Sequence, residues 1–183
     1  LLSGMNIDES ITKEMNKDIE RLTKVTDRFS KIGSGSSLEE KDIVSTTKNM
    51  LSYLRTRVSS KVDITFEADK PAIMVMHNEP LFEWVIENIC KNAIDAMEGV
   101  GKLSVVIKSN PGKVFIDITD TGKGMTPRQQ REVFKPGFTT KKRGWGLGLT
   151  LVKRIITEYH NGQIVVRHSE LGHGSTFRIT LSA

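Results

Sequence analysis

At 183 residues and a net charge of +5, the chain is long enough to bury one sizeable core and to carry an extra helical element. Hydrophobic residues at 37% and charged residues at 27% are ordinary for a soluble globular protein. No apolar run nears the roughly 20 residues of a membrane-spanning helix, no signal peptide opens the chain, and the single cysteine, Cys90, excludes an internal disulfide and fits a reducing cytoplasm.

Residues 7–32 read as a long helix, because Ile11, Met15, Ile19, Leu22, Val25, Phe29 and Ile32 recur three or four positions apart with charges between them. That stripe suits a coiled-coil or hairpin mate, a second copy of the chain, or its own domain. Gly33-Ser34-Gly35-Ser36-Ser37 then reads as a linker, so the expected division is residues 1–36 and residues 37–183. A second helix is expected from Leu38 to about Val58, with Ser37 as cap and Glu40 completing a capping box. Residues 62–66 and 73–76 have strand character. His77-Asn78-Glu79-Pro80 opens a helix with Asn78 as cap and Pro80 in the first turn, running to about Met97. Residues 103–107 and 114–119 form an expected hairpin around Asn110-Pro111-Gly112. Residues 126–143 form a basic loop, 147–159 a helix, and 163–166 and 175–181 the last strands. Strands mixed with helices in this way point to an α/β sandwich, a mixed sheet with helices on one face, preceded by the long helix.

The net positive charge points to an anionic partner. Arg128, Arg131, Lys135, Lys141, Lys142 and Arg143 crowd into the basic loop. Without aromatic interleaving, a helix-turn-helix cue or zinc spacing, nucleic acid is not the expected partner; phosphate groups account for the charge and its place. Asn88 and Asn92 are one helical turn apart and share a face, and amide oxygens suit a magnesium ion already neutralised by phosphates. Glu87 lies roughly 140° around that helix from Asn92. Asp120, in Asp120-Thr121-Gly122-Lys123-Gly124-Met125, follows a strand and can accept a hydrogen bond from an adenine amine, whereas guanine would present an oxygen there. Gly122 and Gly124 remove side chains where a base would approach backbone, and Met125 either lines that base or belongs to the core. Gly144-Trp145-Gly146-Leu147-Gly148-Leu149 opens a helix whose free N–H groups suit a triphosphate.

In this order, the segments Glu87 to Ala93, Asp120 to Met125, Phe134 to Lys141, Gly144 to Leu149 and Gly172 to Phe177 resemble the N, G1, F, G2 and G3 boxes of histidine-kinase catalytic domains. Their superfamily also holds gyrase, a heat-shock chaperone and mismatch-repair ATPases. The resemblance implies a Bergerat-type ATP-binding fold, with ATP and Mg²⁺ as cofactors. It implies Asn92 as the magnesium ligand, with Asn88 and Lys91 beside it as further catalytic candidates, and Asp120 as the adenine reader, supported by Thr176. Residues 126–143 become an ATP lid, in which Thr139, Thr140, Lys141 and Arg143 face phosphate together with Gly144, Gly146, Leu147, Gly148 and Leu149. The hydrolysing relatives carry a glutamate where this chain has Asn88, and an amide is no general base; weak intrinsic ATPase activity is expected.

No histidine here has the acidic and proline neighbours of a family phosphoacceptor. The helix of residues 7–32 resembles the second helix of the dimerisation hairpin, so the acceptor is expected elsewhere and transfer only in trans. The resemblance implies a homodimer through the N-terminal helix in the full-length protein, a response regulator and a phosphoacceptor histidine domain as partners, and a cytoplasmic fragment. The parent protein is expected to continue upstream of Leu1, where a sensor or membrane anchor fits. The alternatives left open are an anti-sigma-type serine kinase and a nucleotide-dependent interaction module.

Overall fold

The computed structural model describes residues 37–141 and 145–183. The expected helix of residues 7–32 lies outside the described residues, as do Arg143 and Gly144. Among the described residues, no helix is long and apolar enough to cross a membrane.

Alternating apolar residues build the sheet. Leu103, Val105 and Ile107 of β4 (Gly101–Asn110) are fully buried, as are Val114 and Ile116 of β5 (Lys113–Asp120), and Phe177, Ile179 and Leu181 of β7 (Gly174–Ser182) continue the same face. With β2 (Val62–Ala68) and β6 (Gln163–Glu170), they form a five-stranded sheet of order β2-β4-β5-β7-β6. Only β2 and β4 run parallel; the other neighbours are antiparallel. The expected hairpin is present, and Gly112 turns it with φ +74°, a value that favours glycine.

The apolar face is covered chiefly by α2 (Glu79–Ala96), whose Phe82, Val85, Ile86, Ile89, Cys90 and Ala93 are buried at helical spacing. Asn78 caps α2 as expected, accepting from the Leu81 N–H at 3.1 Å. The other face of the sheet is laced by charge: Arg178 donates to both Asp117 oxygens at 2.7 and 2.6 Å, and Arg167 adds a third bond at 2.9 Å.

The first described helix departs from expectation. Residues Glu39–Asp42 form a strand, β1, paired antiparallel with β3 (Met74–His77), and α1 spans only Ile43–Arg55. Asp42, not Ser37, is the cap: its carboxylate accepts from the N–H groups of Val44 and Ser45, and from that of Ile73 at 2.9 Å. One side chain thus satisfies the helix start and the neighbouring chain, so the tertiary pairing outweighs the local Ser37-Glu40 pattern.

After α4 (Gly148–Arg154), the expected single helix widens into a π-turn over Ile155–Tyr159. The His160 N–H bonds back to Ile155 O at 3.2 Å, and the ring enters the core. Its Nδ1 donates to Ile155 O at 2.9 Å, and its Nε2 accepts from the Asn78 N–H at 3.2 Å. His77, also buried, donates from Nδ1 to Val75 O and accepts the Thr46 hydroxyl at Nε2. Burial lowers the His160 pKa from its usual 6.5, chiefly through desolvation and partly against the neighbouring His77. The unfolded imidazole therefore binds a proton first as pH falls. Stability should be fully present above pH 6.5 and fall below it, until the folded pKa is reached, by at most about 1.4 kcal/mol per pH unit. Urea midpoints at pH 7.5 and 5.5, compared with those of His160→Gln, measure this: the wild-type drop should shrink in the variant.

Candidate functional site

Asp120 ends β5 and lies in register with Ser175 of β7. Alternation turns it towards the helices with Ile116 and Ile118, where it is only 3% exposed. Its Oδ1 accepts the Gly122 N–H at 2.8 Å. Desolvation raises its pKa above the ordinary 3.8, against the pull of the Gly122 and Ser175 backbone amides.

The loop that follows is seated on α2 by the Lys123 N–H bond to Ala96 O at 3.0 Å. At Gly122 an added Cβ would lie 2.6 Å from the Ala96 carbonyl, so this glycine serves the approach of loop to helix. Met125, half-buried, is fixed by its backbone: its N–H donates to Ser169 Oγ at 2.8 Å, and its carbonyl accepts from Gln130 Nε2 at 3.0 Å. Gly124 makes the preceding turn.

Thr176 stands apart from Asp120. Strand alternation sends it to the opposite face of the sheet, where its hydroxyl bonds that of Thr119 at 3.0 Å. The residue beside Asp120 is its predecessor, Ser175, buried and hydrogen-bonded to Ser169 at 2.9 Å.

On α2, Asn88 donates from Nδ2 to Trp84 O at 3.0 Å, and its Oδ1 lies close to Gly148, where an added Cβ would stand 3.2 Å from it. Asn88 thus joins α2 to the start of α4. Asn92 presents its amide oxygen to the basic loop: Lys141 Nζ donates to Asn92 Oδ1 at 2.7 Å and to Asp95 Oδ2 at 2.6 Å. Lys91 points elsewhere, paired with Glu87 at 2.6 Å one turn back. The structure therefore does not bring Lys91 together with Asn92.

The described residues of the basic loop are tied down at several points. A capping box between Thr126 and Gln129 starts α3 (Pro127–Glu132), Phe134 packs edge-on against Phe177, and Thr150 donates to Phe134 O at 3.2 Å. Arg128 and Lys135 both turn to Glu132. Further on, Thr139 Oγ1 accepts the Lys141 N–H at 3.1 Å, and Thr140 Oγ1 accepts from Lys123 Nζ at 3.3 Å. Gly146 passes against the backbone of Gly137 and Phe138. Leu147 holds the cap position of α4, Gly148 is its first residue and Leu149 is half-buried in its first turn. Trp145 is 54% exposed.

Asp95, Lys123 and Ser175 belong to this cluster but were not singled out from sequence. Asp95 was within reach of helical spacing, three residues after Asn92, and Ser175 within reach of strand alternation. Nothing local in the sequence signals that Lys123 bonds Thr140. Cys90, on the buried side of α2, has its thiol pushed up to about 12 by desolvation and is chemically quiet.

Kinases are among the curated relatives. The chain is similar to the sensor histidine kinase ZraS of Salmonella typhimurium, 33% identical over an alignment of 177 residues that covers 93% of this chain and 37% of that protein. It is similar to sporulation kinase E of Bacillus subtilis, 37% identical over 147 residues, 78% of this chain and 19% of the relative. Among solved structures, the catalytic domain of histidine kinase ThkA superposes with a TM-score of 0.72 at 25% identity, over 79% of this chain and 95% of that one. The chain spans well under half the length of those curated relatives. Residues 77–183, from β3 and the Asn92 helix through Asp120 to the last strand, match the model of one family. The chain belongs to the histidine kinase-, DNA gyrase B- and HSP90-like ATPase family.

Proposed function

We propose that residues 37–183 are the catalytic, ATP-binding domain of a sensor histidine kinase and that residues 1–36 belong to its dimerisation hairpin and linker. ATP is the phosphoryl donor, and the acceptor is a histidine on a separate helical domain. The parent protein acts in the cytoplasm as a homodimer, built through the N-terminal helix, and a response regulator receives the phosphoryl group. The observation that carries this reading is Asp120, a buried carboxylate held by backbone amides at the end of β5. A site that hydrogen-bonds one particular group rejects analogues lacking it; here an acceptor selects the adenine amine against the guanine oxygen.

Asn92 Oδ1 and Asp95 Oδ2 already converge on one cationic atom, Lys141 Nζ. An amide oxygen is a donor that suits a Mg²⁺ ion already neutralised by phosphates, so Asn92 fits the role of metal ligand. When bound, the ion supplies charge neutralisation at the phosphates. Lys141, with Thr139 and Thr140, stands on the lid within reach of that place, while Gly146, Leu147, Gly148 and Leu149 offer backbone at the start of α4; Arg143 and Gly144 complete the proposed phosphate set. Asn88 is committed to Trp84 O and Glu87 to Lys91, so no carboxylate stands in Asn88's place to activate water. That favours transfer to a protein acceptor over hydrolysis.

The test has two parts. Calorimetry should show binding of ATP with Mg²⁺ and none of GTP. Offered a separately made acceptor hairpin and radiolabelled ATP, the chain should yield an acid-labile phosphohistidine, with little phosphate released when the hairpin is left out. Rapid ATP turnover by the chain alone, or an acid-stable phosphoserine product, would overturn the reading.

A further inference from the structure

The Lys141 contact links the lid to α2 through two oxygens of different character. Asn92 and Asp95 are three residues apart and share a helix face. Lys141 comes from the lid, more than forty positions later, and makes 2.7 and 2.6 Å bonds to them. Both lie at or below the short end of charge-assisted N–H···O distances. Only Asp95 brings a negative charge. A neutral amide alone competes poorly with water for an ammonium group, so Asp95 is what keeps Lys141 on the Asn92 oxygen.

We propose that Asp95 is a positioning residue that latches the lid by holding Lys141 against Asn92, and that nucleotide entry requires this latch to open. The second half rests on the ATP-binding reading above; the first does not. A lysine and a divalent ion cannot occupy the same oxygen, since like charges at contact distance repel strongly, so loading the site and releasing Lys141 are one event. Side-chain exposures of 40% for Lys141 and 58% for Asp95 put the bridge in the class of weak, readily opened surface pairs. The neighbouring Lys123 bond to Thr140, at 3.3 Å, is a second tie on the same stretch and adds no formal charge pair. Lys141 freed from Asp95 is then available to phosphate.

Two measurements test this on the whole chain, using Asp95→Ala and the conservative Asp95→Glu. The first is hydrogen exchange of the lid amides from Phe134 to Lys141 without nucleotide. Asp95→Ala should speed exchange there about two- to five-fold, as expected for losing a surface pair, leave β4 and β5 unchanged, and be largely restored by Asp95→Glu. Equal exchange in wild type and Asp95→Ala overturns the latch. The second is the association rate of a fluorescent ATP analogue with Mg²⁺, followed by stopped flow. Asp95→Ala should associate about two- to five-fold faster; slower or unchanged association would make Asp95 a ligand or a bystander and overturn the gating half. If the wild type binds no nucleotide, the ATP-binding reading and the gating half fail together, while the exchange comparison still decides the latch.

Discussion

Asp120→Asn should melt no lower than wild type and yet bind ATP about ten- to hundred-fold more weakly. The affinity loss follows from replacing a charged acceptor in a buried hydrogen bond, worth about 1.5–3 kcal/mol. The preserved stability follows from the sign of the Asp120 shift. Desolvation raises the folded pKa above 3.8, so the folded chain takes up this proton before the unfolded one does. At pH values above that raised pKa, the ionised carboxylate opposes folding, and the opposition is relieved as pH falls through it towards 3.8. Asparagine keeps an oxygen for the Gly122 N–H and removes the buried charge, whose desolvation outweighs the pull of the Gly122 and Ser175 amides together, so the melting temperature at pH 7 should be unchanged or a few degrees higher. Thermal melts and calorimetry on the same preparation measure both effects. A variant that binds ATP as well as wild type would remove Asp120 from the site, and one that melts far lower would make it a structural residue.

The largest expected loss of stability comes from Phe82→Ala. Phe82 is fully buried in the first turn of α2, edge-on to His77 at 5.6 Å and to His160 at 6.1 Å. Truncating a buried phenylalanine costs about 3–5 kcal/mol through lost transfer energy and the cavity left behind, against a total of about 5–15 kcal/mol for a typical domain. Phe82→Leu refills most of the space and should cost less than half as much. Urea unfolding followed by circular dichroism measures both. Equal losses for the two variants would mean that the aromatic contacts with the imidazoles outweigh the volume, and a loss under 1 kcal/mol would mean that the site collapses.

What could be read from the chain and what could not divide along physical lines. The α2 helix, with Asn78 as cap and its apolar stripe, and the β4–β5 hairpin around Gly112 are set by neighbouring residues, and both were legible. The α1 start was not: Ser37 and Glu40 offer a respectable local cap, but a strand 32 to 38 positions away claims Glu39–Asp42, and Asp42 caps better because it also satisfies Ile73. The π-turn before His160 was equally hidden, since periodicity over so few residues does not separate i→i−5 from i→i−4 bonding. At the site, the glycine-rich signatures located the loops, while side-chain direction escaped. Whether Ser175 or Thr176 sits beside Asp120 depends on which face of β7 meets the helices, and whether Lys91 or Asp95 meets the lid depends on a few tens of degrees around α2.

The pairing of β2 with β4 has a kinetic side. Every other join in the five-stranded sheet is antiparallel, and β4–β5 and β6–β7 are closed by turns of a few residues. Val62 meets Gly101 only after the chain has passed through β3 and the whole of α2. A contact of that sequence separation has to meet the entropy of closing a long loop before it returns any stabilisation. The same cost is higher for the β5–β7 join, whose partners stand 55 to 69 positions apart against 39 for β2–β4. The two hairpins should therefore form first and both long-range joins later, and until they do the hydrogen-bonding edges of β4 and β5 stay open to strands from other molecules.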